Sequence, residues 1–150
     1  QCLLYEQAAR RMRRPDGTHL PDLTIQEFDA RTLVEAAGID AILIGDSLGT
    51  NVLGYDSVVQ VTVRDIAHHA AAVARGATDT LLIADLPFMS YQESDRQALR
   101  NTRRLIQRGR AHAVKLEGGR AVAGRIGAIV AAGVPVMGHL GLTPQAVHQL

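Results

Sequence analysis

Residues 41–49 read AILIGDSLG, and this stretch carries the strongest structural signal in the chain. Four apolar residues, two of them isoleucine, lead into a glycine and then Asp46. A continuous apolar run of this length is typical of a strand that is buried on both faces, as in a parallel sheet. Asp46 would then lie at the carboxyl edge of the sheet, where α/β folds place their chemistry.

The same arrangement recurs further along the chain. Three more apolar runs each end at a side chain that can bind a metal or exchange a proton: 81–84 before Asp85, 113–116 before Glu117, and 134–138 before His139. Each run is short enough for a strand. The repetition predicts that four strands deliver four polar side chains to the loops that follow them.

Helix signals separate these runs. Capping-box patterns, which mark helix starts, occur at 62–65 and 94–97. Further helices are predicted to end before Gly38 and at Gly133, and a weak strand is predicted at 23–25. The stretch from 46 to 61 shows no clear period and is predicted to be a loop. A loop of this length could cover a site, and the alternative is a hydrophobic hairpin packed on the barrel rim.

These elements give about five βα units in a single domain over residues 1–150. The spacing of the helix-ending glycines is close to the ~31 residues per unit of a (β/α)₈ barrel of about 250 residues. It also fits a five-stranded doubly wound sheet. Periodicity alone leaves the two folds open.

Composition argues for an ordinary globular protein. Hydrophobic residues make up 47 % of the chain, charged residues 21 %, and the formal net charge is +1. This balance and the scarcity of aromatic residues give no indication of a nucleic-acid partner or a membrane surface. A single cysteine, Cys2, fits a reducing compartment, so a cytoplasmic location without a secretory signal is expected.

If the strands are parallel and adjacent, three carboxylates would meet at the carboxyl edge of the sheet: Asp46, Asp85 and Glu117. Such a group is repulsive unless protons or a cation neutralise it. Oxygen ligands favour a hard ion such as Mg²⁺, which typically takes one or two carboxylates together with water and substrate. The alternative is that each acid caps the helix or turn that follows.

Lys115 and Glu117 lie two positions apart on one predicted strand and therefore point to the same face. A lysine within an apolar strand needs a partner or an anionic ligand. It could form a buried salt bridge with Glu117, bind a substrate carboxylate, or do both. His139 could donate to the same anion or be structural, and Ser47 offers a hydroxyl and a backbone N–H at the end of the first strand.

Five motifs occur in order at 45–49, 54–57, 84–88, 115–119 and 138–145: GDSLG, GYDS, ADLPF, KLEGG and GHLGLTPQ. Together they resemble the ketopantoate hydroxymethyltransferase family over roughly residues 23–150. The resemblance implies an α/β fold, the (β/α)₈ TIM barrel, of which this chain would supply about the first five βα units. It also implies a homo-oligomer, usually a decamer.

The resemblance further implies a set of site residues. Mg²⁺ would be held by Asp46, Asp85 and Glu117. The 2-oxo acid substrate would be bound by Asp46, Ser47, Asp85, Lys115 and His139. The glutamate that serves the family as general base would lie beyond Leu150.

The implied reaction is a Mg²⁺-dependent one-carbon transfer. A hydroxymethyl group would pass from the co-substrate methylenetetrahydrofolate to 3-methyl-2-oxobutanoate through a Mg-stabilised enolate, giving 2-dehydropantoate for pantothenate biosynthesis. Two alternatives are an inactive truncated barrel or assembly module, and another Mg²⁺-dependent enzyme that makes or breaks C–C bonds in a 2-oxo acid.

Overall fold

The computed structural model of the chain describes residues 40–77 and 79–149. Within these residues, four strands form one parallel sheet in the order β1-β2-β3-β4. Their bounds are Ala41–Ile44 (β1), Leu81–Asp85 (β2), Ala113–Glu117 (β3) and Val136–His139 (β4). All four predicted apolar runs are therefore strands. The predicted strand at 23–25 and the helix after it lie outside the described residues.

The order of the strands separates the two folds that the sequence left open. A doubly wound sheet reverses its strand order at a switch point. Here every described strand pairs with the next one in the chain, and right-handed crossovers then put the helices on the same face. Sequential parallel strands alternating with helices are the architecture of part of a TIM barrel, as predicted.

In the described part of the chain, four helices connect or follow the strands. Their bounds are Leu48–Asn51 (α1), Val63–Gly76 (α2), Asp95–Gln107 (α3) and Ala123–Ala131 (α4). Short 3₁₀ helices occur at Val58–Gln60, Gly119–Val122 and Pro144–Gln149. Two of these elements, α1 and the first 3₁₀ helix, lie in the stretch predicted to be a loop. Within the described residues no helix is long and apolar enough to cross a membrane.

The predicted capping box is confirmed at the start of α2. At the start of α3 only one of its two hydrogen bonds is present. Thr62 and Asp65 each accept the other's backbone N–H through a side-chain oxygen, at 3.3 and 2.9 Å. The Ser94 hydroxyl accepts the N–H of Gln97 at 3.1 Å. The Gln97 side chain, however, accepts the N–H of Glu93 rather than that of Ser94, so the reciprocal bond is shifted by one residue.

The two faces of the sheet differ in what covers them. The helix side holds the apolar core, in which Leu82, Val114 and Leu116 pack with side chains of the helices. Leu43, Leu81 and Met137 lie on the other face by register and alternation, and they are 46, 46 and 43 % exposed. By the same alternation, the polar residues within the strands lie on this second face: Asp85, Lys115, Glu117 and His139.

Candidate functional site

Asp46 and Asp85 lie side by side at the carboxyl ends of β1 and β2. Asp46 follows β1 by two residues, and Asp85 is the last residue of β2. The backbone N–H of Asp46 donates to Asp85 Oδ2 at 3.0 Å, and both side chains are buried. The parallel register thus brings together two of the three acids that the sequence predicts to converge.

Lys115 is paired with Asp85. The two residues are register partners on β3 and β2, and Lys115 Nζ lies 2.7 Å from Asp85 Oδ2. The predicted alternative of a salt bridge between Lys115 and Glu117 is wrong, because Lys115 pairs with Asp85. Register partners on adjacent strands are about 4.8 Å apart, whereas residues two apart on one strand are separated by about 6.6 Å.

The electrostatics of Asp85 reflect its burial. Removal from water raises the pKa of its carboxyl group to about 6, against the lowering effect of Lys115, and the neighbouring Asp46 adds to the rise. Its second oxygen, Oδ1, is buried without a hydrogen-bond partner among residues 40–77 and 79–149. A buried carboxylate oxygen in this state is a position where a cation or a water would bind.

Glu117 and His139 form a second pair at the ends of β3 and β4. They are register partners, and His139 Nδ1 lies 2.9 Å from Glu117 Oε2. The other oxygen of Glu117 accepts the backbone N–H of Gln145 at 2.7 Å. His139 therefore contacts the buried acid directly, and this contact fixes the orientation of its ring.

Gln145 joins the two acidic pairs. Its amide nitrogen donates to Asp46 Oδ2 at 2.8 Å and to the carbonyl of Leu86 at 3.0 Å. Tyr91 supports it: the phenol oxygen lies 2.8 Å from Gln145 Oε1 and accepts the N–H of Glu117 at 3.3 Å. Sequence reasoning assigned no role to Gln145 or Tyr91, although Gln145 closes the last of the five motifs.

Ser47 lies at the rim of this group. It is exposed and its side chain does not cap α1. Its hydroxyl and Asp85 Oδ2 lie 3.4 and 3.5 Å from the point that a Cβ on Gly45 would occupy. The glycine thus leaves a small recess between Ser47 and Asp85.

The residues fit a divalent cation through two carboxylates. The Asp46 backbone N–H contacts the Asp85 carboxylate, and Asp85 Oδ1 has no hydrogen-bond partner among the described residues. Glu117, predicted as a third ligand, contacts His139 and Gln145 in this arrangement. Within the part of the chain that the structure describes, no three acidic, histidine or cysteine side chains are already grouped as a metal site. One or two carboxylates completed by water and substrate are the usual protein contribution to Mg²⁺.

A pocket of about 490 Å³ adjoins the site on the side of β3 and β4. Glu117 and His139 line it, together with Phe88 and Leu140. It has room for a small organic acid or part of a larger co-substrate beside the acidic residues.

Buried acids and a lysine at the carboxyl ends of sequential parallel strands define a site of the barrel-enzyme type. The family model described as ketopantoate hydroxymethyltransferase matches residues 7–150, and the chain belongs to this family. It is 52 % identical over 137 residues to the 3-methyl-2-oxobutanoate hydroxymethyltransferase of Thermoanaerobacter sp. (strain X514), covering 91 % of this chain and 50 % of the relative.

Other relatives with the same name show similar agreement. The protein of Dehalococcoides mccartyi (strain CBDB1) is 56 % identical over 128 residues, which is 85 % of this chain and 46 % of the relative. That of Geobacillus thermodenitrificans (strain NG80-2) is 54 % identical over 125 residues, with coverages of 83 and 45 %. The chain thus spans about half the length of the curated relatives it matches.

Proposed function

We propose that this chain provides the metal and 2-oxo acid site for hydroxymethyl transfer from methylenetetrahydrofolate to 3-methyl-2-oxobutanoate, with 2-dehydropantoate as product. Membership of the family and the names of the relatives support the type of reaction. The observation that carries the proposal is the hydrogen bond from the Asp46 backbone N–H to the Asp85 carboxylate at the strand ends, beside the buried cation of Lys115.

Asp46 and Asp85 would hold Mg²⁺. Glu117 is linked to Asp46 through Gln145, which is hydrogen-bonded to both. When bound, the ion would supply a Lewis acid that stabilises the negative charge developing on the 2-oxo group as the C3 proton leaves. Burial of both carboxylates strengthens this electrostatic effect, because the local dielectric is low.

The other side chains would bind and orient the substrate. Lys115 Nζ places a positive charge beside Asp85, where it would neutralise the substrate carboxylate. The Ser47 hydroxyl lies at the rim of the recess at Gly45 and would donate to the same anion. His139, held through Nδ1 by Glu117, would present its remaining ring nitrogen on the pocket side.

The first half-reaction can be tested without folate. In D₂O with Mg²⁺, the complete protein should exchange the C3 proton of 3-methyl-2-oxobutanoate, which ¹H NMR measures directly. Asp46→Asn and Asp85→Asn should each slow the exchange by at least about 100-fold, since each removes a charge that acts on the developing anion. Asp56→Asn, at an exposed position, is the matched control and should leave it unchanged.

The proposal would be overturned by a folded, Mg²⁺-loaded protein that catalyses no exchange. It would also be overturned if the Asp46→Asn and Asp85→Asn variants catalysed exchange of the C3 proton as fast as the Asp56→Asn control does.

A further inference from the structure

Gln145 is a buried side chain, 3 % exposed, at which the turn after β4 meets the ends of β1, β2 and β3. Its backbone N–H binds Glu117, and its amide nitrogen binds Asp46 and the carbonyl of Leu86. One residue therefore contacts two of the three predicted acids through two different groups.

The orientation of the Gln145 amide follows from the chemistry of its neighbours. Asp46 Oδ2 and the Leu86 carbonyl are both acceptors, so the amide must direct its NH₂ group towards them. Its oxygen then lies 2.8 Å from the Tyr91 hydroxyl, whose single proton is shared between this oxygen and the Glu117 backbone carbonyl, also at 2.8 Å. Burial raises the pKa of Tyr91, so the phenol keeps the proton that it donates.

We propose that Gln145 is a positioning residue that sets the carboxylate of Asp46 for cation binding, an inference that rests on the proposed function. A neutral amide suits this task. It fixes the rotation of the Asp46 carboxylate through one oxygen and leaves the negative charge available to a cation. A lysine or arginine at this position would cancel that charge.

The test uses Mn²⁺ alone, in place of Mg²⁺ and without substrate, with free Mn²⁺ measured by electron paramagnetic resonance. Gln145→Met in the complete protein keeps the length of the side chain and the backbone N–H that binds Glu117, but removes the amide. We expect the Mn²⁺ dissociation constant to rise about 10- to 100-fold, as for other residues that orient metal ligands. Gln107→Met, at the exposed end of α3, is the control and should bind Mn²⁺ normally.

A second variant keeps the test decisive if Gln145→Met fails to fold. Tyr91→Phe retains the buried ring but removes the hydroxyl that contacts the Gln145 amide and the Glu117 backbone. Because the amide itself remains, this variant should weaken Mn²⁺ binding less than Gln145→Met does. Affinities are normalised to the folded fraction measured by circular dichroism, because a merely structural role would alter that fraction and not the affinity per folded molecule.

The outcomes separate the two proposals. If the unmodified protein binds no Mn²⁺, the proposed metal site itself is wrong. If it binds Mn²⁺ and folded Gln145→Met binds it equally well, the positioning role is wrong. Should only Tyr91→Phe fold, unaltered affinity in that variant would overturn the role of the Tyr91–Gln145 contact in holding Asp46.

Discussion

Lys115 and Asp85 face each other across adjacent strands, with Nζ 2.7 Å from Oδ2 and both side chains buried. Lys115 is the only lysine in this sequence, in which fifteen other basic residues are arginine. A compact ammonium group fits a buried strand position, where a planar guanidinium with five donors would find too few acceptors.

Removal of one partner from this pair should cost more stability than removal of both. Lys115→Met leaves a buried carboxylate unpaired, and we expect it to lower the free energy of unfolding at pH 7 by about 3 kcal/mol or more. The double variant Lys115→Met/Asp85→Asn removes both charges and should be more stable than Lys115→Met. Urea unfolding measures both. If the double variant lost as much free energy of unfolding as Lys115→Met and Asp85→Asn lose together, the two side chains would not be coupled.

Stability should also depend on the ionisation of Asp85. Its folded pKa of about 6 lies above the ordinary value of 3.8, so folding favours the protonated form. This contribution to stability is complete below about pH 4 and is lost as the pH rises through 6. Relative to the double variant, the metal-free protein should therefore lose on the order of 2–3 kcal/mol between pH 4 and 7. Urea unfolding at several pH values measures this; an unchanged difference between the two proteins would contradict it.

Divalent cations should stabilise the folded protein. A ligand that binds only the native state at 100 times its dissociation constant adds about 2.7 kcal/mol, which a thermal melt detects readily. We expect Mg²⁺ to raise the melting temperature, EDTA to reverse the rise, and Asp85→Asn to abolish it. The exposed Asp56→Asn serves again as the control. An equal rise in all three proteins would point to non-specific binding.

The recess at Gly45 gives a prediction in which stability and binding separate. A methyl group there would lie 3.4 Å from Ser47 Oγ and 3.5 Å from Asp85 Oδ2, which are ordinary contact distances. Gly45→Ala should therefore fold with little change in the free energy of unfolding. It should still weaken binding of 3-methyl-2-oxobutanoate, measured by calorimetry with Mg²⁺ present, because the methyl group fills space beside the proposed ligands. Unchanged affinity would show that the substrate does not use this recess.

Much of the fold could be predicted because the signals for its strands and helix starts lie within short stretches of sequence. Continuous apolar runs mark buried parallel strands, and the Thr62–Asp65 capping box marks the start of α2 in the sequence itself. β4 begins at Val136, two residues later than predicted. Pro135, which precedes it, has no N–H to give to the sheet.

The site was harder to predict because its contacts depend on register. The sequence gives no direct sign that Lys115 faces Asp85 rather than Glu117, since the choice depends on how β3 is aligned with β2. Gln145 follows a Thr-Pro turn and carries no titratable group, so its type and position suggest a helix start rather than a contact with two acids. Only the folded chain brings its amide to Asp46.

The hydrogen bond from Gln145 to Asp46 spans 99 residues of sequence. Closure of so long a loop costs chain entropy that only the assembled sheet repays. A folding intermediate with β1 and β2 in place, but without the turn after β4, would have Asp46 beside Asp85 and nothing to fix the Asp46 carboxylate. On the proposed role of Gln145, high-affinity cation binding would therefore require the turn after β4 to have reached the ends of β1 and β2, and the ion would report on that contact.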